Sequence, residues 1–300
     1  MNNKTRHTNQ IAVAEYSVFQ EFALLVKLRL TSMVVFTSVF AFVIASGFTA
    51  SVVELVLLGI GGFMVAAAAN VLNQVIEKDY DILMERTMNR PVAAGRMSMS
   101  NAVLIAGFMA LAGLTLLGLF NPLTAFFGTL SLVSYAFIYT PLKRHSSISV
   151  AIGAIPGALP MLIGCVAFDG YVSLLALLLF AVQVVWQFTH FWAIAVLSFD
   201  DYTQAGYKIV PTIDGRPANR IRIQAVLASV LLLPLSYYLY GYLQLHMISF
   251  ICLIIIALGF TYYAIQFLIN KKDKNALHLM FASLFYLPLF LTILMIDQIF

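Results

Sequence analysis

Unbroken apolar runs of 18 residues or more recur from one end of this chain to the other, separated by short polar interruptions. A run of that length crosses a hydrocarbon core of roughly 30 Å as a single helix. Nine such helices are expected, over residues 31–49, 52–73, 101–120, 122–139, 147–167, 171–197, 223–243, 247–269 and 277–296. The punctuation agrees with these cuts: Asn121-Pro122 divides the third run from the fourth, Pro141 stops the fourth, Asp169-Gly170 separates the fifth from the sixth, and Lys271 to Lys274 separate the last two. The expected fold is an all-α membrane protein, nine transmembrane helices in one bundle. Residues 1–20 are polar, with no apolar segment ahead of a small-residue cleavage site, and read as a cytoplasmic tail preceding one polytopic domain over 21–300.

Composition changes this picture only by excluding alternatives. Hydrophobic residues make up 62% of the 300 and charged residues 10%, against roughly half and a quarter in soluble domains. A water-soluble fold is ruled out. Cys165 and Cys252 both lie inside apolar runs without a metal-ligand spacing and are expected to be packing residues.

Charge sets an expected orientation. Every one of the 17 Lys and Arg residues falls before residue 31, in the connections after the even-numbered spans, or beside them. The opposite connections carry acids such as Glu54, Asp169 and Asp297. Basic residues near span ends stay on the cytoplasmic side, which places the N-terminus inside and the C-terminus outside. The net charge of +4 therefore reports topology and offers no case for nucleic-acid binding.

Two connections are long, about 74–100 and 198–222, and long loops in a compact bundle tend to be functional. If the second span continues inward as helix, Asn73, Glu77, Asp81 and Glu85 recur every four residues along one face, with Asp79 turned away. Like charges at that spacing repel unless a cation lies between them. One reading is a solvated helix end whose acids pair with Lys78, Arg86 and Arg90. The other is a Mg²⁺ site, completed by water and substrate phosphate, with Arg86, Arg90 and Arg96 gripping the phosphates.

On the sixth span, Gln183, Gln187, His190, Leu197 and Asp201 project to one side, a polar seam rising into the bilayer. Such a seam either glues helices together or marks a site. Pro156, Gly157 and Pro160 in the middle of the fifth span release backbone carbonyls and favour an internal cavity.

These residues carry a resemblance. Asn73 to Pro91 with its Glu85-Arg86-Thr87-Met88-Asn89-Arg90-Pro91 ending, Ala94-Gly95-Arg96, Tyr139-Thr140-Pro141-Leu142-Lys143-Arg144, Gly153 to Pro160, Trp186 to Ala193 and Asp200-Asp201-Tyr202 together resemble the UbiA-type intramembrane prenyltransferases. The first motif of that superfamily reads Asn-Asp-x-x-Asp-x-x-x-Asp; here Gln74 and Glu77 replace its first two acids, and Leu197 stands where the second motif has its first acid.

The resemblance implies a Mg²⁺-dependent enzyme of the inner membrane that transfers a farnesyl group from farnesyl diphosphate to a vinyl group of haem b, with a haem A synthase or terminal oxidase assembly receiving the product. It implies metal held by Asn73, Glu77 and Asp81 on one side and Asp201, helped by Asp200, on the other, with Lys143, Arg86, Arg90, Arg96 and Arg144 around the diphosphate. Tyr135, Tyr139, Trp186, Gln187, His190, Phe191 and Trp192 are candidates to line the substrate tunnel. Two rivals stay open. One is the same transfer to an aromatic or quinone precursor. The other is a non-catalytic haem or lipid transporter, which the lack of Lys, Arg, Asp or Glu deep in any span disfavours.

Overall fold

A computed structural model describes residues 16–299 of the chain. Most of the expected tail, residues 1–15, lies outside the described residues. The described chain opens with a short helix, α1 (Val18–Leu25), started by a capping box in which Ser17 and Gln20 satisfy each other's backbone N–H groups.

Among the described residues, nine helices are long and apolar enough to span a membrane: α2 (Leu28–Ser46), α3 (Val52–Ile76), α5 (Met99–Gly118), α6 (Pro122–Leu142), α7 (Ser149–Asp169), α8 (Leu174–Leu197), α10 (Asn219–Leu243), α11 (Met247–Ile269) and α12 (Asp273–Asp297). Two short helices, α4 (Lys78–Asp81) and α9 (Phe199–Gln204), lie in the two long connections. The second connection also holds a hairpin, β1 (Thr212–Ile213) with β2 (Arg216–Pro217), turned by Asp214-Gly215, both with positive φ, as its two-residue turn demands. The expected spans match to within a few residues; ends drift because side-chain caps, such as Ser98 and Ser173, extend or trim them.

α7 is the most buried of the nine and packs against α2, α6 and α8. Small residues allow this. A Cβ at Gly164 would meet the Ser38 carbonyl of α2 at 2.1 Å, so the two backbones touch directly. At Gly157 a Cβ would meet Gln187 Oε1 at 2.1 Å, so the missing side chain is the space that this α8 amide occupies.

α6 departs from regular helix where it matters. Residues Ser134–Tyr139 are wound as π-helix, a form that appears mostly as local insertions near functional sites. Tyr135 and Tyr139 stand on that segment and both face the interior. The bundle thus closes around a cavity of about 480 Å³ rather than a solid core.

Candidate active site

The floor of the cavity is charged and lies at the end of the bundle that carries the two long connections. α3 stays regular until Glu77, whose N–H donates to the Asn73 carbonyl at 2.9 Å, and the chain resumes after a break as the single turn of α4. Asn73, Glu77 and Asp81 therefore converge, and all are almost fully buried, at 1%, 3% and 0% exposure. The fourth member of the expected stripe does not join them. Past Asp81 the chain turns, pinned by Thr87 Oγ1 donating to the Asp81 carbonyl at 2.9 Å, and Glu85 and Asp79 end up exposed.

Each of the three floor residues faces a base. Lys27 Nζ donates to Asn73 Oδ1 at 2.6 Å, and Asn73 Nδ2 donates to Glu77 Oε2 at 2.7 Å and to Thr140 Oγ1 at 3.2 Å. Arg90 Nη1 donates to both Asp81 oxygens, at 2.8 and 2.7 Å. Lys143 forms an ion pair with Glu77, while Glu77 Oε1 keeps no directional hydrogen bond. Of the pairing that the sequence offered as the plain alternative, with Lys78, Arg86 and Arg90, only the Arg90 part is present among the described residues.

The electrostatics are strongly coupled. Burial pushes the Glu77 carboxyl up, but Lys143, Lys27 and Arg90 outweigh it and hold it below the ordinary carboxylate range. Burial, with Arg90 and Lys143 nearby, drives the Lys27 ammonium well below its usual value. The Tyr207 phenol is pushed up, first by burial and then by Glu77 and Asp81. With Arg86 also on the cavity wall, four bases face two carboxylates there. That surplus of positive charge suits a ligand more anionic than the acids alone could tolerate.

The second helix end contributes differently from expectation. α8 stops at Leu197, and Ser198, at φ −105° and ψ 20°, breaks the helix before α9 begins. Projection at 100° per residue fails across that break. Asp200 is exposed, Asp201 is half-buried, and neither lines the cavity; Tyr202 and Tyr207 do. Tyr207 is carried in by the connection after α9, where the Lys208 N–H donates to the Lys143 carbonyl at 2.9 Å.

Two of the expected phosphate-binding arginines are engaged elsewhere. Arg96 pairs with Glu21 of α1 and lies 4.5 Å from the Tyr16 ring centre. Arg144 donates to the Ile76 carbonyl at 2.6 Å, capping α3, and stacks 3.9 Å from the Tyr80 ring centre. Both act on the scaffold. Arg86, Arg90, Lys143, Tyr139, Trp186, Gln187 and His190 do line the cavity, as do Tyr135 and Phe191, whereas Trp192 is buried in the core beside it. Above the charged floor the walls are apolar: Met33, Val34 and Phe36 of α2, Ile194 of α8, and Leu284, Leu287 and Pro288 of α12.

Lys27 and the two tyrosines are the members that sequence reasoning missed. Lys27 reads as one of several basic residues ahead of a span. Only its left-handed backbone, φ 50° and ψ 55°, swings it inward, a conformation that costs a non-glycine residue of order 1 kcal/mol or more. The available signal was its place inside the apolar stretch Phe22 to Leu28.

One amide oxygen and two carboxylates match what a hard divalent cation takes when substrate phosphates complete its shell. Among the described residues no cluster of three or more His, Cys, Asp or Glu side chains offers a full protein cage. The donor set accordingly fits a cation that arrives with a phosphate ligand.

Comparison with known proteins bears on this arrangement. Residues 34–288 match the family described as UbiA prenyltransferase. The chain is 40% identical over 287 residues to the protoheme IX farnesyltransferase of Christiangramia forsetii, covering 94% of each chain. It is 39% identical over 289 residues to the protein of the same name from Flavobacterium psychrophilum, covering 94% of this chain and 95% of that one. In fold it is similar to a digeranylgeranylglyceryl phosphate synthase, with TM-score 0.78, 16% identity, and 94% and 98% of the two chains covered. It is likewise similar to a UbiA homologue from Archaeoglobus fulgidus bound to DMAPP and Mg²⁺, with TM-score 0.65, 16% identity, and 91% and 99% covered.

Proposed function

Because the chain belongs to the UbiA prenyltransferase family, we propose that it transfers a farnesyl group from farnesyl diphosphate to a vinyl group of haem b, with addition of water, to give haem O. The observation that carries the reading is one continuous cavity with a buried, net-basic floor and an apolar, aromatic body. It suits a molecule with a diphosphate at one end and a hydrocarbon chain at the other.

In the reaction the C1–O bond of farnesyl diphosphate breaks, C1 bonds to the outer vinyl carbon, water oxygen bonds to the inner one, and a proton and diphosphate are released. Asn73, Glu77 and Asp81 would hold Mg²⁺, which when bound would supply Lewis-acid neutralisation of the leaving diphosphate. Lys27, Arg86, Arg90 and Lys143 surround the same charge, and their alignment before substrate arrives is what lowers the barrier. Tyr135, Tyr139, Trp186 and Phe191 exclude bulk water and present π faces to the positive charge that develops on the allylic carbon. The transfer takes place at the cytoplasmic face of the inner membrane, where the basic connections are retained, and a haem A synthase or terminal oxidase assembly takes the product.

Protein purified in detergent and given farnesyl diphosphate, haem b and Mg²⁺ is expected to form haem O and diphosphate together, read by mass spectrometry. Prenylation of an aromatic acid with haem left unchanged would replace the acceptor.

The depressed Lys27 ammonium gives a further expected result. Free protein has partly neutral Lys27 at a pH where an ordinary lysine is fully charged, and a diphosphate brought beside it restores the proton. Binding should therefore take up protons, increasingly as pH rises above the free-state value, and Lys27→Met should lose that uptake. Calorimetry in two buffers of different ionisation enthalpy measures it; equal heats for the native protein across the alkaline range would contradict the assignment.

A further inference from the structure

α8 presents Gln183, Gln187 and His190 to the cavity, and of these His190 has the most constrained surroundings. Its ring lies flat on the Trp186 indole, with centres 5.0 Å apart and planes 10° from parallel. Trp186 Nε1 donates to the Ser283 carbonyl at 2.8 Å, tying α8 to α12. Ring and indole are thus held in place by the neighbouring span.

The hydrogen-bond pattern favours one tautomer of the ring. Ser283 has a single hydroxyl proton and donates it to the Met280 carbonyl of its own helix. Its oxygen can then only accept, so His190 Nδ1, 2.6 Å away, is the donor. No carboxylate pairs with the ring among the described residues, and an imidazolium without a counter-charge in an apolar wall would be costly. The neutral ring consequently keeps its lone pair on Nε2. That atom has no protein partner, and it is not among the sealed polar atoms of the interior.

A histidine whose Nδ1–H is fixed by a neighbour and whose Nε2 faces open space is arranged as a metal ligand. Resting on the reading of the acceptor as a haem, we propose that His190 Nε2 coordinates the haem iron on one axial face. His190 stands seven residues inside α8 from Leu197, about 10 Å of helix rise from the end of α8 that leads into the second long connection. Ligation there fixes the normal of the porphyrin plane, leaving rotation about that axis to bring a vinyl group toward the farnesyl C1.

Ferric protohaem added to the detergent-purified protein reports this directly by absorption and electron paramagnetic resonance. Native protein is expected to show a histidine-ligated spectrum. His190→Ala should lose that signature, and haem affinity should fall with it. His190→Gly should regain it on adding imidazole, an effect that a mere tie between helices would not produce. Ser283→Ala should keep the ligand but bind more weakly, because nothing then holds the ring in one tautomer. A His190→Ala protein with native spectrum and affinity overturns the proposal. Native protein that binds no haem yet prenylates an aromatic acceptor overturns the acceptor reading itself, and this ligation with it.

Discussion

Asp81→Asn is expected to lower turnover by at least ~10²-fold while the protein stays folded. Asp81 is fully buried, and both of its oxygens hold Arg90 Nη1. Asparagine keeps the volume and one oxygen toward Arg90, so the exchange removes charge with little change of shape. Of the two carboxylates offered to a cation, one is then gone, and the diphosphate departs against a weaker counter-charge. Arg90 retains some access to the cavity, so the loss of stability should stay below the ~3–5 kcal/mol of a sealed, broken pair. Initial rates at saturating substrates, with a melting curve of the same sample, measure both. Native turnover in this variant would remove Asp81 from the chemistry.

A comparably large effect is expected at Lys143. Its ammonium pairs with Glu77 and lies 4.9 Å from the Tyr139 ring centre, between the acid floor and the aromatic wall. Lys143→Met should cost ~10²–10³-fold in kcat/KM for the prenyl diphosphate, since the lost charge acts on the leaving group. It also leaves the buried Glu77 short of its main counter-ion, so the melting temperature should fall. Adding Glu77→Gln tests the stability effect by itself, because Glu77 is also placed at the metal. The double variant should regain stability, because the stranded charge is gone, and remain inactive. Recovery of activity alongside stability would reduce Lys143 to a structural partner.

The spans were legible because length and apolarity alone identify them, and the bilayer admits few alternatives. The convergence of Asn73, Glu77 and Asp81 was legible for a local reason: polar residues repeat every four positions, and the break at Glu77 is too slight to scatter them. Local reasoning failed wherever the deciding partner is remote in sequence. Arg96 is drawn off by Glu21, 75 residues away, and Arg144 by the Ile76 carbonyl, 68 residues away. Asp201 was misplaced because helical projection was carried through Ser198, where the helix has ended. Lys27 was hidden by a single backbone angle. Spacing along a helix is thus a dependable guide only as far as the helix runs, and counter-ion choice is settled by the packing of whole elements.

The π-helical stretch of α6 gives the site a tolerance hidden in its backbone. An i→i+5 turn holds one residue more than an α-turn, so dropping one codon between Ser134 and Tyr139 would let the segment relax to ordinary helix with everything downstream close to its original register. Lys143 would still reach Glu77, and the span would stay apolar and long enough to insert. The change would fall on the aromatic wall, because Tyr135 and Tyr139 could no longer both keep their places on the cavity. Such an allele would be expressed, membrane-embedded and intact at its charged end, yet altered in how it shields the prenyl chain.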